Sequence, residues 1–535
     1  MTAEPEGMAR PAAVMAAGTI ASRLTGLLRV IAMGVALGIG GSRLADTFNV
    51  ANTLPNIVYE LILGGVLTSV FIPLVVEALR QDDEGLAIGT LVGTTLAVLV
   101  VSSVVLSVAA PLVVRIFTFR GGATSARQTA LAAFFFRFFA FQVLFYGMTA
   151  VYGGLLNARG RFGVPAFAPT ANNLIAILTF LAFAAIANDR GLAVSTASRL
   201  LLGVGTTAAV AATALLHVVP VRKVYGRLPL RISFTAPIVR RLMRLSGWTL
   251  VYVVTTQAEA TLVVVLAYGR QGGATAFAIA FSFAQLPVGV LAISVMTVVV
   301  PALADRAASG DMAGYRVQLE RAASLTLALV VPAAFAYVVL APSVVAVLIE
   351  RGRVSAVDAA YVGRLVQILT VSLPAYSLWL LFLRGFYALQ DTRTPARINF
   401  VEVGAFCVLD LALYPFLRVE GLAWAHTLGY MLGAGLAGAA LSHRVGGLQW
   451  RRVAGQAGRV TLAAAGSAVV MWAVLRAVQG HAPGLVARGE GVLAGGAAGL
   501  VVFAVAATLL GVEDYNRLRT LVPWGTRGQT PAGPT

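Results

Sequence analysis

Two arginines six positions apart, Arg23 and Arg29, stand inside the otherwise apolar run Ser22-Arg23-Leu24-Thr25-Gly26-Leu27-Leu28-Arg29. On a helix that spacing sets the guanidinium groups about 120° apart around the axis and about 9 Å apart along it, so both border one broad polar face without stacking. A guanidinium stays ionised and offers paired planar donors, which suits a phosphate or diphosphate. The plainer alternative is that either side chain snorkels to an interface or pairs with a structural carboxylate. Downstream, Asp46 opens the polar stretch Leu44 to Asn52, and Asn56 and Glu60 lie one turn apart on a helix loosened by Pro55 and by Gly64-Gly65. A charged, deformable helix of that kind could gate a cavity. Alternatively, Asp46 caps a helix and Glu60 pairs with Arg29. Farther on, Gln257 and Glu259 share one apolar stretch, and Glu402 and Asp410 share another. Carboxylates at such depth bind an ion or proton, or neutralise an arginine. Arg137 lies among Phe134, Phe135, Phe136, Phe138 and Phe139, where cation-π contact or snorkelling accounts for it.

These residues must be positioned by membrane helices. The chain of 535 residues is 59% hydrophobic and only 12% charged, with a mean hydropathy of +0.85, values that fit a bilayer as solvent. A bilayer core about 30 Å thick takes about 20 apolar residues per crossing. Such runs predict fourteen helices, near 13–39, 53–79, 86–117, 129–156, 165–187, 193–219, 238–268, 273–304, 317–348, 359–388, 396–416, 420–442, 455–478 and 490–511. The first run holds Arg23 and Arg29, unlike the uncharged core of a signal peptide, and is read as the first crossing.

The net charge of +18 is scattered in short clusters between apolar runs, which argues against nucleic acid as a partner. Twenty-three of the forty basic residues fall in loops on the side of the termini and thirteen on the other side, so both termini are expected in the cytoplasm. Cys407 is the single cysteine and excludes an internal disulfide, and His217, His426, His443 and His481 lack metal-ligand spacing, so no metal site is expected. No paired catalytic carboxylates, nucleophile with base, Gly-rich phosphate loop or nucleotide-binding domain is visible, which points to a transporter rather than an enzyme. No cofactor is expected. Uphill movement would then draw on Na+, H+ or the membrane potential.

Three sequence pairs recur at an offset of about 230 residues. Gly18-Thr19-Ile20 resembles Trp248-Thr249-Leu250, Ser69 to Leu74 resembles Thr297 to Ala302, and Leu156-Asn157 with Arg161 and Pro165-Ala166 resembles Leu389-Gln390 with Arg393 and Pro395-Ala396. The expected organisation is an all-α polytopic protein. Two six-helix lobes, 1–232 and 233–446, share one membrane orientation around a central cavity; 447–514 adds two helices and 515–535 a cytoplasmic tail.

The motifs Ser22-Arg23 through Arg29, Ala45-Asp46 with Phe48, Leu54-Pro55-Asn56, Gly65 through Pro73, Asn157 through Pro169, Leu286 to Leu291, and above all Phe386-Tyr387-Ala388-Leu389-Gln390-Asp391-Thr392-Arg393-Thr394-Pro395 resemble the MurJ/MviN family over residues 15 to 445. That resemblance implies a lipid II flippase of the multidrug/oligosaccharidyl-lipid/polysaccharide exporter superfamily in the bacterial inner membrane. It would work by alternating access from the cytoplasmic to the periplasmic leaflet for cell-wall biosynthesis, with the lipid tail in a groove made with the last two helices. Arg23, Arg29, Asn56, Ser282 and Gln285 would bind substrate, Asp46, Glu60, Gly64 and Gly65 would gate, and Glu259, Glu402 and Asp410 would couple an ion. Implied partners are lipid II, membrane lipids and cell-wall synthesis proteins.

The chain departs from the family pattern in its basic cluster. Tyr59 and Glu60 stand where arginines are usual, Gly64 replaces a glutamate, and Ser282 replaces an arginine. The Arg/Ala/Val-rich composition is similar to the actinobacterial branch, without the long cytoplasmic extension found on some members. The competing readings are a flippase for another polyprenyl-diphosphate-linked glycan, an exporter of drug-like cations, and a non-transporting scaffold for cell-wall enzymes. A cation exporter should present acidic and aromatic residues with little basic charge, and a scaffold an apolar interface; Arg23, Arg29, Glu60 and Glu259 argue against both.

Overall fold

The computed structural model describes residues 6–41, 43–63, 71–79, 84–118, 125–187, 192–481 and 484–512, and they are overwhelmingly helical. Helices suit a bilayer because they satisfy every backbone polar group internally. The first six predicted crossings are formed by α1 (Glu6–Leu37), α2 (Leu44–Leu63) with α3 (Ile72–Ala78), α4 (Glu84–Val108) with α5 (Ala110–Thr118), α6 (Ser125–Phe139) with α7 (Gln142–Ala158), α8 (Gly163–Ile186) and α9 (Thr196–Tyr225). The next six are α10 (Pro237–Tyr268), α11 (Gly273–Pro287) with α12 (Ile293–Ala308), α13 (Met312–Ile349), α14 (Ala356–Val371) with α15 (Leu373–Ala388), α16 (Arg393–Leu417) and α17 (Val419–Arg444). The last two are α18 (Trp450–His481) and α19 (Leu485–Leu509).

Every predicted crossing therefore coincides with a helix or a broken pair. Among the described residues, ten spans are long and apolar enough to cross a membrane by themselves, and eleven if the pair α14 and α15, bent by 46°, counts as one. The second and twelfth crossings fall short of that test, and they carry candidate polar residues: Asp46, Asn56 and Glu60 on α2 and His426 on α17. The predicted tail 515–535 and the hinge residues Gly64 and Gly65 lie outside the described residues.

Two compact units emerge from the packing. The first comprises Met1–Leu286, Leu348–Leu365 and Asn399–Gly429, and the second Pro287–Val347, Val366–Ile398 and Tyr430–Thr535. In the first, α1 packs on α8, α8 on α9 and α2 on α6. Gly18 lets α1 approach the backbone of Ala166 on α8, where an added Cβ would come within 2.8 Å of the Ala166 carbonyl. Asn173 of α8 then donates to the Ser22 carbonyl at 3.1 Å and to the Thr25 hydroxyl at 3.0 Å. Phe48 meets Phe135, Phe139 and Phe180 edge-on at 5.4–5.6 Å, a favoured aromatic geometry that fixes α2 against α6 and α8.

In the second unit the core is built on Tyr315, Leu319, Leu381, Phe382, Phe386 and Leu441. Here α18 and α19 form a hairpin along the small-residue stripe Gly491, Gly495 and Gly499, whose missing side chains admit Leu475 and Met471. Such stripes drive helix association in lipid, where the hydrophobic effect between helices is lost.

The sequence repeat leaves a local trace. After α7, Gly160 takes φ +70° and Arg161 N–H donates to the Leu156 carbonyl at 2.8 Å; after α15, Gln390 takes φ +57° and Asp391 N–H donates to the Phe386 carbonyl at 3.0 Å. These are the same left-handed turn at the same offset, built once on glycine and once on glutamine. In the second copy the Asp391 carboxylate accepts from Arg393 N–H at 3.1 Å, Thr394 N–H at 3.0 Å and the Thr394 hydroxyl at 2.8 Å, capping α16.

Partial burial pushes the Asp391 carboxyl up, but the hydrogen bonds from Thr394 and Arg393 and the charge of Arg444 outweigh it and hold the group below the usual carboxylate range. A depressed carboxylate stabilises the fold above its unfolded value and loses that contribution as pH falls through its folded value. Asp391→Ala should therefore cost about 1 kcal/mol at neutral pH, by loss of the cap. Thermal melts in detergent should show the gap from wild type closing below about pH 4.

Candidate functional site

The most completely built polar element is a latch at the start of α2. Asp46 is fully buried, and its carboxylate accepts from Gly272 N–H at 2.6 Å, Thr275 N–H at 3.0 Å and the Thr275 hydroxyl at 2.8 Å. The expectation that Asp46 caps a helix is met, but the helix is α11, more than two hundred residues away, rather than α2. A carboxylate at a helix N-terminus is favoured both by the free N–H groups there and by the helix dipole. Gly272 has φ +76°, and an added Cβ would lie 2.6 Å from the Ile39 carbonyl, so a glycine is required for the close approach. Around this centre Arg43 donates to the Tyr268 carbonyl at 2.7 Å, Gln271 to the Gly40 carbonyl at 2.7 Å, and Asn49 to the Ala274 carbonyl at 3.3 Å. Tyr268 in turn donates to Gln128 at 2.9 Å.

The arginines of α1 are placed differently from each other. Counted from Ser22, Arg29 falls about 20° off the face that meets α8, and Arg23 about 100° off it. Arg29 is accordingly half-buried and close enough to Tyr146 of α7 for its charge to bear on the phenol, whereas Arg23 is exposed. Among the described residues neither guanidinium has a hydrogen-bond or ion-pair partner, so the alternative in which Glu60 neutralises Arg29 is not realised. Tyr146 pairs with Tyr59 of α2 at 5.7 Å, and both line a cavity of about 380 Å³ that also receives Asn157, Asn172, Thr213 and His217. Sequence reasoning weighed His217 only as a metal ligand. It is a fully buried imidazole whose Nδ1 meets the Thr213 carbonyl at 2.8 Å and whose Nε2 has no hydrogen-bond partner among the described residues. Its depth in an apolar run, the criterion applied to Asp410, was the signal available.

Of the remaining candidates, Asn56 is exposed and Glu60 and Gln285 are half-buried. The Ser282 hydroxyl turns back on its own helix, donating to the Ala278 carbonyl at 2.9 Å.

A second cluster joins α10, α16 and α17. His426 Nε2 lies 3.4 Å from Glu259 Oε1, its Nδ1 meets the Leu422 carbonyl at 3.1 Å, and the rings of Phe277, Phe281 and Phe406 surround it at 5.1–5.9 Å. Glu402 and Asp410 are buried within electrostatic reach of Glu259. Both Asp410 oxygens and Glu402 Oε1 lack a hydrogen-bond partner among the described residues. The structure thus gathers the three carboxylates proposed for coupling and adds His426, whose ring was legible only as a lone histidine. Three acids in so apolar a setting cannot all be ionised without a counter-charge. Among the described residues no three His, Cys, Asp or Glu side chains stand close enough together to chelate a metal ion.

The family model described as lipid II flippase MurJ matches residues 35–488. The chain belongs to the lipid II flippase MurJ family. A probable lipid II flippase MurJ of Rhizobium meliloti (strain 1021) is 30% identical over 417 residues, covering 77% of this chain and 76% of that protein. The corresponding protein of Bdellovibrio bacteriovorus is 26% identical over 521 residues, 95% of this chain and 96% of its own. A solved structure of lipid II flippase MurJ in an inward closed conformation superposes with a TM-score of 0.73 at 17% identity, covering 93% of this chain and 99% of that one. An inward-facing multidrug resistance MATE transporter of the MOP superfamily shares the fold at a TM-score of 0.55 and 14% identity, over 78% of this chain and 98% of that one. MurJ family members are transporters rather than enzymes, and this one is a multi-pass membrane protein.

The latch sets a stability order. Asp46→Ala leaves two buried N–H groups and a hydroxyl without an acceptor, at about 1–3 kcal/mol for each buried group left unsatisfied. Asp46→Asn keeps one acceptor oxygen, so melting temperatures in detergent should fall in the order wild type, Asp46→Asn, Asp46→Ala.

Proposed function

We propose that this MurJ family member moves lipid II across the bacterial inner membrane, from the cytoplasmic to the periplasmic leaflet, by alternating access. The reading is carried by one observation: the chain matches the family over residues 35–488 while Arg23 and Arg29 have no counter-charge among the described residues, a setting for an anionic headgroup. Arg29 engages the diphosphate. The polar cavity beside Tyr146 and the side chains of Asn56, Ser282 and Gln285 serve the sugars, and the hairpin of α18 and α19 guides the lipid tail. Asp46, with Glu60, Gly64 and Gly65, gates by making and breaking the latch. Glu259, Glu402 and Asp410 take up Na+ or H+, with the membrane potential as a further source of drive.

Both termini lie in the cytoplasm, as the arginine distribution favours, residues 1–232 and 233–446 act as the two moving lobes, and cell-wall synthesis proteins receive the product. A flippase for another polyprenyl-diphosphate-linked glycan would use the same guanidinium chemistry. A leaflet-specific assay of lipid II in host cells depleted of the protein separates the two: lipid II should become trapped on the cytoplasmic side, whereas an unchanged distribution with loss of another surface glycan reassigns the substrate.

In proteoliposomes Arg29→Gln should slow lipid II translocation about ten- to a hundredfold, the loss of one charge-assisted interaction worth about 1.5–3 kcal/mol. Unimpaired transport by normally inserted Arg29→Gln protein contradicts the assignment. Asp410→Asn should flatten the response of transport to imposed Na+ or H+ gradients; a response of wild-type size removes Asp410 from coupling.

A further inference from the structure

Arg115 and Arg137 belong to neither the latch, the α1 arginines nor the carboxylate cluster, and they line one cavity. It has a volume of about 770 Å³ and opens between α5 and α6, with Pro111, Ala126, Ala130 and Ala133 forming much of the remaining wall. Its two sides are tied together. The hydroxyls of Thr118 and Thr129 meet at 2.7 Å, and Ser107 donates to the Arg137 carbonyl at 3.0 Å. Arg115 and Arg137 are both exposed, and among the described residues neither guanidinium group has a carboxylate, ring or hydrogen-bond partner. The cation-π reading of Arg137 therefore does not hold, although five phenylalanines surround it in sequence.

The face that carries this groove is apolar. On α4 and α5, Val108 is 78% exposed, Leu112 70% and Ile116 57%, so the side chains beside the guanidinium groups are those that meet hydrocarbon. A guanidinium facing lipid needs a counter-charge within reach, and the described residues supply none. The ligand that satisfies both features is amphiphilic, with a phosphate for the two forks and acyl chains for the valine, leucine and isoleucine surface.

We propose that the groove between α5 and α6 is a binding site for an anionic diacyl phospholipid, with Arg115 and Arg137 on the headgroup phosphate and Val108, Leu112 and Ile116 along the acyl chains. The groove runs inward from the end at which α5 stops and α6 begins, with Arg115 nearer that end and Arg137, about 18 Å along α6, deeper. Small alanines leave room for the headgroup, and the hydroxyl ties keep the two arginines at a fixed separation, so the groove is formed before the lipid arrives.

The full chain in detergent, mixed with phosphatidylglycerol bearing a photoactivatable group on one acyl chain, provides the test. After illumination, lipid-modified peptides should fall between residues 108 and 137. Labelling should drop about tenfold in Arg115→Gln/Arg137→Gln and survive largely in Arg115→Lys/Arg137→Lys, which keeps the charge. The map on wild-type protein is independent of how the variants fold, and modification confined to other helices overturns the proposal. So does equal labelling of the glutamine double variant, or equal labelling by a phosphatidylcholine probe. Complete suppression by excess inorganic phosphate would make the groove a site for free phosphate rather than lipid and also overturns it.

Discussion

A buried carboxylate in a membrane protein must find its donors within the fold, and the Asp46 side chain finds three on the first turn of a distant helix. Ionic hydrogen bonds of this kind are about twice as strong as neutral ones in a low-dielectric setting, and leaving them unmade is correspondingly costly. The arrangement fixes much around it. The glycine at 272, the Arg43 and Gln271 contacts to backbone carbonyls and the Tyr268–Gln128 bond all cluster at the same end of α2 and α11. Separation of these two helix ends would require water or another donor to replace all three bonds together, which makes the junction two-state rather than gradually deformable.

Satisfaction of polar groups sorts the intramembrane charges into two kinds. Asp46 has its full complement of donors and is structural in this conformation. Among the described residues Asp410, Glu402, His217 Nε2 and the α1 arginines are left short, and each adjoins a cavity, another ionisable group or an exposed surface. Native proteins seldom leave buried polar atoms unpaired without reason.

The predicted helices were legible because an apolar run of about twenty residues matches the thickness of the bilayer core and is longer than a soluble fold needs for a buried helix. The repeat was legible too, since its turn motifs survive at a constant offset and fold into matching left-handed turns at Gly160 and Gln390. The interruptions inside crossings were less so. The break at Phe141 has no proline beside it, whereas those at Ala109 and Ser372 precede Pro111 and Pro374 in the first turn of the next helix, and the π-helical turn at Val288–Ala292 follows Pro287 but is not specified by it. At the candidate site, composition and depth picked out Asp46, Glu259, Glu402 and Asp410 but could not say which partner each would meet. Asp46 was grouped with gating because of its neighbours in sequence, yet its bonds come from α11. Glu60 and Arg29, adjacent in a local reading, do not pair. Partner choice is a property of tertiary packing, and no period or motif within a single helix encodes it.

The distance along the chain between the two sides of the latch bears on how the protein is made. Asp46 enters the membrane long before Thr275 has been synthesised, and at roughly 5–20 residues per second the interval is on the order of ten to forty-five seconds. Throughout that time the carboxylate has no native donors, so the nascent chain must hold it at the membrane surface, hydrated or protonated, until the eighth crossing arrives. The latch therefore forms long after α2 itself has been made, and insertion machinery or lipid headgroups must shelter the start of α2 in the meantime.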